Sequence, residues 1–327
     1  MKGVFGLLIA IGGLVASSAS QAEGAPLSLE ARISLGPVKG RIDHLAFDGK
    51  RQRLYVAELG NDSVAILDLG ARRLIRTVSG FDEPQGIGYE PGTDTIYVAN
   101  AGDGSVRVFR GEDFAALGQM VLGEDADNVR IDEAARRVYV GYGSGALAVI
   151  DATTRKRLAD ISLRGHPESF QLNPADARIF VNVPGAREIG VVDRQTQQQV
   201  ASWPIGNLRS NFPLALDPAR DRLVSIFRHP ARLEGFDLRT GQGVSGSDVC
   251  ADSDDVFVDS RRQRVYVICG EGFVDSLDAD KYTRIGRLPT SDGSRTGLFV
   301  PDLDLLCVAV RASGRESAAI WILRPSP

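Results

Sequence analysis

The sequence is poor in the residues and patterns that most recognisable chemistry draws on. It has 3 His, 3 Cys, 2 Met and 2 Trp in 327 residues. No nucleophile elbow, phosphate loop, haem-attachment CxxCH or zinc-type HExxH pair is present, so no catalytic or cofactor motif can be read directly. Basic excess is also missing. There are 38 Lys+Arg against 42 Asp+Glu, a net charge of -4, which argues against nucleic acid as a partner. All but five of those cations are Arg, and no basic run is longer than three. After the N-terminus no span of 18 apolar residues occurs, so no later membrane crossing is expected. Helical stripes with a 3.6-residue period are absent too, which excludes the helical-repeat architectures.

What the chain has in excess is Gly, 36 residues against an ordinary 15 Pro. That balance points to many tight turns rather than to disorder. Residues 1–22 read as a secretory signal: Lys2, the apolar stretch Val4–Ala16, then small residues ending Ser20-Gln21-Ala22. Thirteen apolar-stretch residues containing three Gly are too short for the ~20 of a spanning helix, and no Cys marks a lipid anchor. The expectation is a cleaved leader, a bacterial periplasmic or secreted location, and a single domain over residues 23–327.

An internal repeat organises that domain. An apolar–aromatic–Val motif recurs as Leu54-Tyr55-Val56, Ile96-Tyr97-Val98, Val138-Tyr139-Val140, Ile179-Phe180-Val181 and Val265-Tyr266-Val267. Weaker copies start at Leu223 and Leu306. The steps between starts are 42, 42, 41, 44, 42 and 41 residues. In the same register, apolar runs end in Asp68, Asp151, Asp193, Asp237 and Asp278. Each unit divides into four short strands separated by Gly/Asn/Asp-rich turns, the meander of a propeller blade. The last unit lacks a fourth strand, and Ala31–Leu35 resembles one. The expectation is an all-β, seven-bladed β-propeller whose N-terminal strand completes the last blade and closes the ring. It is expected to act as a monomer.

The blades resemble those of the YVTN-family β-propeller repeats, through Leu54-Tyr55-Val56-Ala57, Ile96-Tyr97-Val98-Ala99-Asn100, Gly102-Asp103-Gly104-Ser105-Val106 and the Pro84-Gln85-Gly86-Ile87 entry. The resemblance covers about residues 29–323 and implies the fold. It implies no single function, because the family includes surface-layer, DNA-binding, scaffold-like and lactonase-like members.

Ligands of such propellers usually meet one end of the central channel. The loops there contribute His44, Glu58, Gln85, Asn100, Asp127, Asn128, Tyr142, His166, Glu168, Asn182, Arg228, His229, Asp254, Arg295 and Arg311 as candidate ligand-binding residues. All three His fall on this face. Imidazoles at His44, His166 and His229 are candidates for a divalent metal or for base chemistry, against the alternative that they are ordinary loop residues. No cofactor is otherwise expected. The acids around Cys250 (Asp248, Asp252, Asp254 and Asp255) are expected to be solvated turn residues rather than a Ca²⁺ loop. Arg209, Arg228, Arg295 and Arg311 offer guanidinium forks to an anion, with pairing to neighbouring acids expected instead. Pairing of blade six's first two strands is expected to set Asp254 opposite Cys269, close enough to Cys250 for a Cys250–Cys269 disulfide in an oxidising compartment. Cys307 is expected to be a buried thiol.

Three functions are open at this stage. The favoured one is a binding or scaffold protein for a small molecule, peptide or periplasmic protein. The others are a lactonase- or lyase-type enzyme using channel-end His, Glu and Arg, and a metal-dependent redox accessory protein.

Overall fold

A computed structural model describes residues 24–314 and 316–327; the leader expected at 1–22 lies outside the described residues. Seven four-stranded antiparallel sheets form an all-β, seven-bladed propeller. The first strands of blades one to seven are Leu45–Asp48, Pro84–Glu90, Val129–Asp132, Phe170–Leu172, Arg209–Asp217, Ser253–Asp259 and Gly297–Val300. Leu27–Gly36 is the outer strand of blade seven, antiparallel to Ala318–Pro325. The ring is therefore closed by strand pairing between the two ends of the described chain, which leaves no free seam between first and last blades.

The apolar–aromatic–Val motif makes the inter-blade core because side chains alternate across a strand. Leu54 and Val56 pack with Ile33 and Ile320 of blade seven, while Tyr55 points the other way into Ile87, Ile96 and Val98 of blade two. The same division recurs around the ring, giving seven apolar clusters that each join two neighbouring blades. In blade five the aromatic position is Val224, and Tyr282 of blade six is buried in that cluster instead.

The Asp that ends the third strand in five of the seven blades closes the outer hairpin. Asp151 Oδ1 accepts the Thr153 and Thr154 N–H groups at 3.1 and 2.8 Å; Asp193 and Asp237 do the same two and three residues on. Those bonds favour the ionised form and hold all three carboxyls below their ordinary range. The turns use fewer glycines than expected: Gln52, Asp94, Arg136 and Gln263 hold positive φ themselves.

Candidate functional site

One position of the repeat builds the mouth of the channel. The residue two places before the first-strand residue that faces the third position of the repeat motif is Asp43, Gln85, Asp127, Glu168, Phe212, Asp254 and Arg295 in blades one to seven, by the registers Leu45↔Val56, Ile87↔Val98, Val129↔Val140, Phe170↔Val181, Leu214↔Ser225, Val256↔Val267 and Gly297↔Val308. Asp43, Asp127 and Glu168 each donate the backbone N–H to the end of the second strand, extending the ladder by one pair and fixing the side chain toward the axis. The blades are also stitched here, since His44 N–H donates to Gln85 O at 3.2 Å and Ser169 N–H to Phe212 O at 3.3 Å.

Six of these seven residues, with Arg41, His44, Asp125, His166 and Arg228, line a cavity of about 230 Å³. Gly86 permits the packing beneath it, because a Cβ there would lie 2.1 Å from Asp127 O.

The guanidinium groups at the mouth are largely paired. Arg228 meets Asp254 at 2.7 Å and Asp252 at 3.4 Å, and lies 3.8 Å over the Phe212 ring. Arg295 holds Asp252 at 3.0 Å, and Arg41 holds Asp43 at 2.8 Å and Asp254 at 3.7 Å. The arginines are thus paired internally as expected, but the acids around Cys250, expected to be solvated turn residues, are mostly engaged by cations instead: Asp252 and Asp254 by arginine and Asp255 by His44, while Asp248 is 89% exposed with Arg232 at 3.6 Å. Asp127 and Glu168 differ. Among the described residues neither has a cation within ion-pair distance, and Asp127 Oδ1 is buried without a hydrogen-bond partner.

Burial and neighbouring acids set the protonation of this ring. Burial, then Asp127 and Asp254, push Glu168 up to about 8, so that it is chiefly protonated near neutrality. Burial raises Asp127 and Asp254 to about 6, with nearby cations opposing it. Burial disfavours charge on His44, but Asp255, Asp43 and Asp127 outweigh it and raise the ring to about 10. The imidazole lies 3.5 Å from Asp255 and 3.6 Å from Asp43. His166 Nδ1 sits 2.6 Å from Gly143 O, which makes it the donor and leaves Nε2 as an acceptor in the neutral ring.

Of the candidates read from sequence, the cavity brings together His44, Gln85, Asp127, His166, Glu168, Arg228, Asp254 and Arg295. It does not include the others. Glu58 accepts from Ser63 Oγ at 2.6 Å, Asn100 donates to Val98 O and Ser105, and Asn182 donates to Phe212 O, Pro213 O and Ser225 Oγ. These second-strand ends are buried in hairpin and inter-blade bonds. Asn128 is buried beside the mouth, and Tyr142 donates to Asp160 at 3.0 Å on the outer side. Arg311 donates to Gly40 O at 2.8 Å. His229 is exposed, 3.3 Å from Ser210 Oγ, so the three imidazoles do not converge. Among the described residues no group of three or more His, Cys, Asp or Glu is placed to hold a metal ion.

Sequence reasoning missed Arg41, Asp125 and Phe212; the repeat register identifies Phe212, two residues before the Leu214 that pairs with Ser225. It also set Asp254 opposite Cys269, whereas Ser253 faces Cys269 and a bulge between Ser253 and Asp255 turns Asp254 to the cavity. The Cys250–Cys269 disulfide is present, and Cys307 is a buried free thiol whose pKa burial pushes up to about 12.

No protein-family model matches the chain, and no curated protein matches it significantly. The strand topology alone therefore carries its classification as a seven-bladed β-propeller. No helix among the described residues is long and apolar enough to cross a membrane.

Proposed function

We propose that this chain is a periplasmic binding protein of the YVTN-propeller type, one domain over residues 23–327 after a cleaved leader, acting as a monomer. It would take a small polar, donor-rich molecule, an amine or a polyhydroxylated compound, in the channel mouth. The observation that carries this reading is the pair Asp127 and Glu168: two carboxyls in a small cavity with no cation in contact, among guanidinium groups already paired. Unmet acceptors in such a site are a cost that a ligand's N–H or O–H groups remove. Phe212 supplies the one hydrocarbon face in the lining, suited to a carbon skeleton. The disulfide and the leader-like N-terminus support the oxidising location.

A thermal-shift panel of small amines, amino alcohols and monosaccharides tests it, because a ligand specific for the folded state raises its stability. The expected result is a concentration-dependent rise that Asp127→Asn and Glu168→Gln each abolish. No rise across the panel, or a rise indifferent to both substitutions, contradicts the reading.

One observation favours a second reading, a lactonase- or lyase-type enzyme: Glu168, protonated near pH 7, shares its cavity with His166 and with Arg228. A neutral carboxyl beside an imidazole is a workable acid/base pair. Turnover of simple lactones that Glu168→Gln abolishes would establish it.

A further inference from the structure

Below the mouth the channel changes character. A second cavity of about 360 Å³ meets the first at His44, and its walls are largely hydrocarbon, from Ile87, Val129, Ile131, Phe257, Leu298 and Phe299. Three ionisable side chains also line it: His44 and Asp255, which face each other at 3.5 Å, and Arg130. The first-strand residue that faces the second, usually aromatic, position of the repeat motif reads Ala46, Gly88, Arg130, Gln171, Ala215, Phe257 and Leu298 around the ring. Five of the seven blades place a small or apolar residue there, and blade three places a guanidinium. Gln171 stands next to it in blade four.

Arg130 is not used up by the fold. Nη1 donates to Val129 O at 2.9 Å and Nη2 to Ser169 Oγ at 3.2 Å, and the guanidinium lies 5.5 Å from the Phe170 ring centroid. A guanidinium carries five N–H donors, so donors remain. Among the described residues it forms no ion pair; Asp255 and Asp127 act on it only from a distance, and burial lowers its pKa. Asp255 is itself engaged by the Gly297 N–H at 2.9 Å and by His44. Gln171 donates to Leu214 O at 2.7 Å, which leaves its carbonyl oxygen to the channel. An unpaired charge in an apolar channel is costly unless something pairs with it, and a carboxylate matches the fork of a guanidinium in shape and charge.

We infer that the channel below His44 is a binding site for a small monocarboxylate with an apolar body, its carboxylate on Arg130 and its hydrocarbon part against Ile87, Phe257 and Phe299. This goes beyond the donor-rich ligand proposed for the mouth and uses different residues. The two sites adjoin at His44, so one molecule carrying both an amine and a carboxylate could span them.

Calorimetric titration of the unaltered protein with hexanoate and 3-phenylpropanoate, against hexanamide and hexylamine as controls of equal body and different head, tests the inference. Saturable binding of the carboxylates, at least about tenfold tighter than of the amide, is expected from a charge-assisted hydrogen-bond pair. Arg130→Gln should weaken carboxylate binding by about 10- to 100-fold, and Arg130→Lys by less. Equal affinity for acid and amide, or no carboxylate binding, overturns the inference even if Arg130→Gln fails to fold. Binding unchanged in a folded Arg130→Gln also overturns it. Repeating the titration with Glu168→Gln separates the two sites: carboxylate binding should survive there. Failure of the carboxylates alongside a Glu168-dependent amine response defeats this inference and leaves the mouth reading standing.

Discussion

Two sets of loops meet at the same end of this propeller, and they treat polar residues in opposite ways. The turns between second and third strands spend theirs on the fold: Glu58 on Ser63, Asn100 on Ser105, Asn182 on Phe212, Pro213 and Ser225. The loops entering the first strands hold Asp127 and Glu168 over a cavity with no cation in contact. Both sets are rich in the same residue types, so residue type does not separate structure from site. What separates them is distance from the axis: most of the entering-loop residues reach the narrow opening, whereas Glu58, Asn100 and Asn182 face only their own hairpin or the adjoining blade, and Arg228 is the second-strand residue that reaches the cavity.

Both sets depend on the closed ring, and the largest expected effect comes from opening it. Deleting residues 27–36 removes the outer strand of blade seven, and cooperative unfolding in denaturant should be lost; a truncated chain with an unchanged melting curve contradicts the closure. Next is the disulfide that anchors the entry to blade six. Its 20-residue loop is worth about 3 kcal/mol on the chain-entropy model, so Cys250→Ser/Cys269→Ser should lower the unfolding free energy by about that amount. One free thiol should titrate in the unreduced, denatured wild type; three would refute the bridge.

Smaller substitutions sharpen the contrast itself. Gly86→Ala forces a Cβ onto Asp127 O, costing about 1–3 kcal/mol as overpacking does and disturbing the mouth. Asn182→Ala leaves Asn211 and two carbonyls short of partners and should cost about 1–3 kcal/mol while sparing ligand affinity. Glu168→Gln should do the reverse. Its folded pKa is raised, so the neutral form suits the fold; the stability it gives is full below about 4.5 and is lost as the pH climbs through about 8. The variant should therefore melt progressively higher than wild type between pH 5 and 9, and the ligand response should vanish. A Tm difference that shrinks over that range contradicts the assignment. His229→Ala, outside the cavity and exposed, should change stability by less than about 0.5 kcal/mol.

The fold was legible because each blade must bury both faces of its second strand, and Leu54-Tyr55-Val56 and its copies state that requirement in every repeat. Closure was legible for a related reason: the last unit lacked a strand that Ala31–Leu35 resembled. The site was half legible. Entry-loop residues such as Asp127 and Glu168 stood out as polar residues at the channel end, but Glu58, Asn100 and Asn182 looked the same in sequence. Their partners lie across a turn or in the next blade, and spacing does not reveal which hydrogen bonds a side chain has already made. Asp254 was misplaced by one residue because a bulge leaves no mark in a strand's apolar pattern. Phe212 was overlooked because it is apolar, although its register matches the six other ring positions.

The contrast between the two sets of loops rests on Glu168 most of all. A ¹³C-labelled NMR titration of its side-chain carboxyl, assigned by loss of the resonance in Glu168→Gln, reads its protonation directly. A midpoint raised to about 8 is expected for this half-buried carboxyl beside Asp127 and Asp254. A midpoint near 4.5 would mean that Glu168 is solvated or paired, and that the two-carboxyl site proposed for the ligand does not exist.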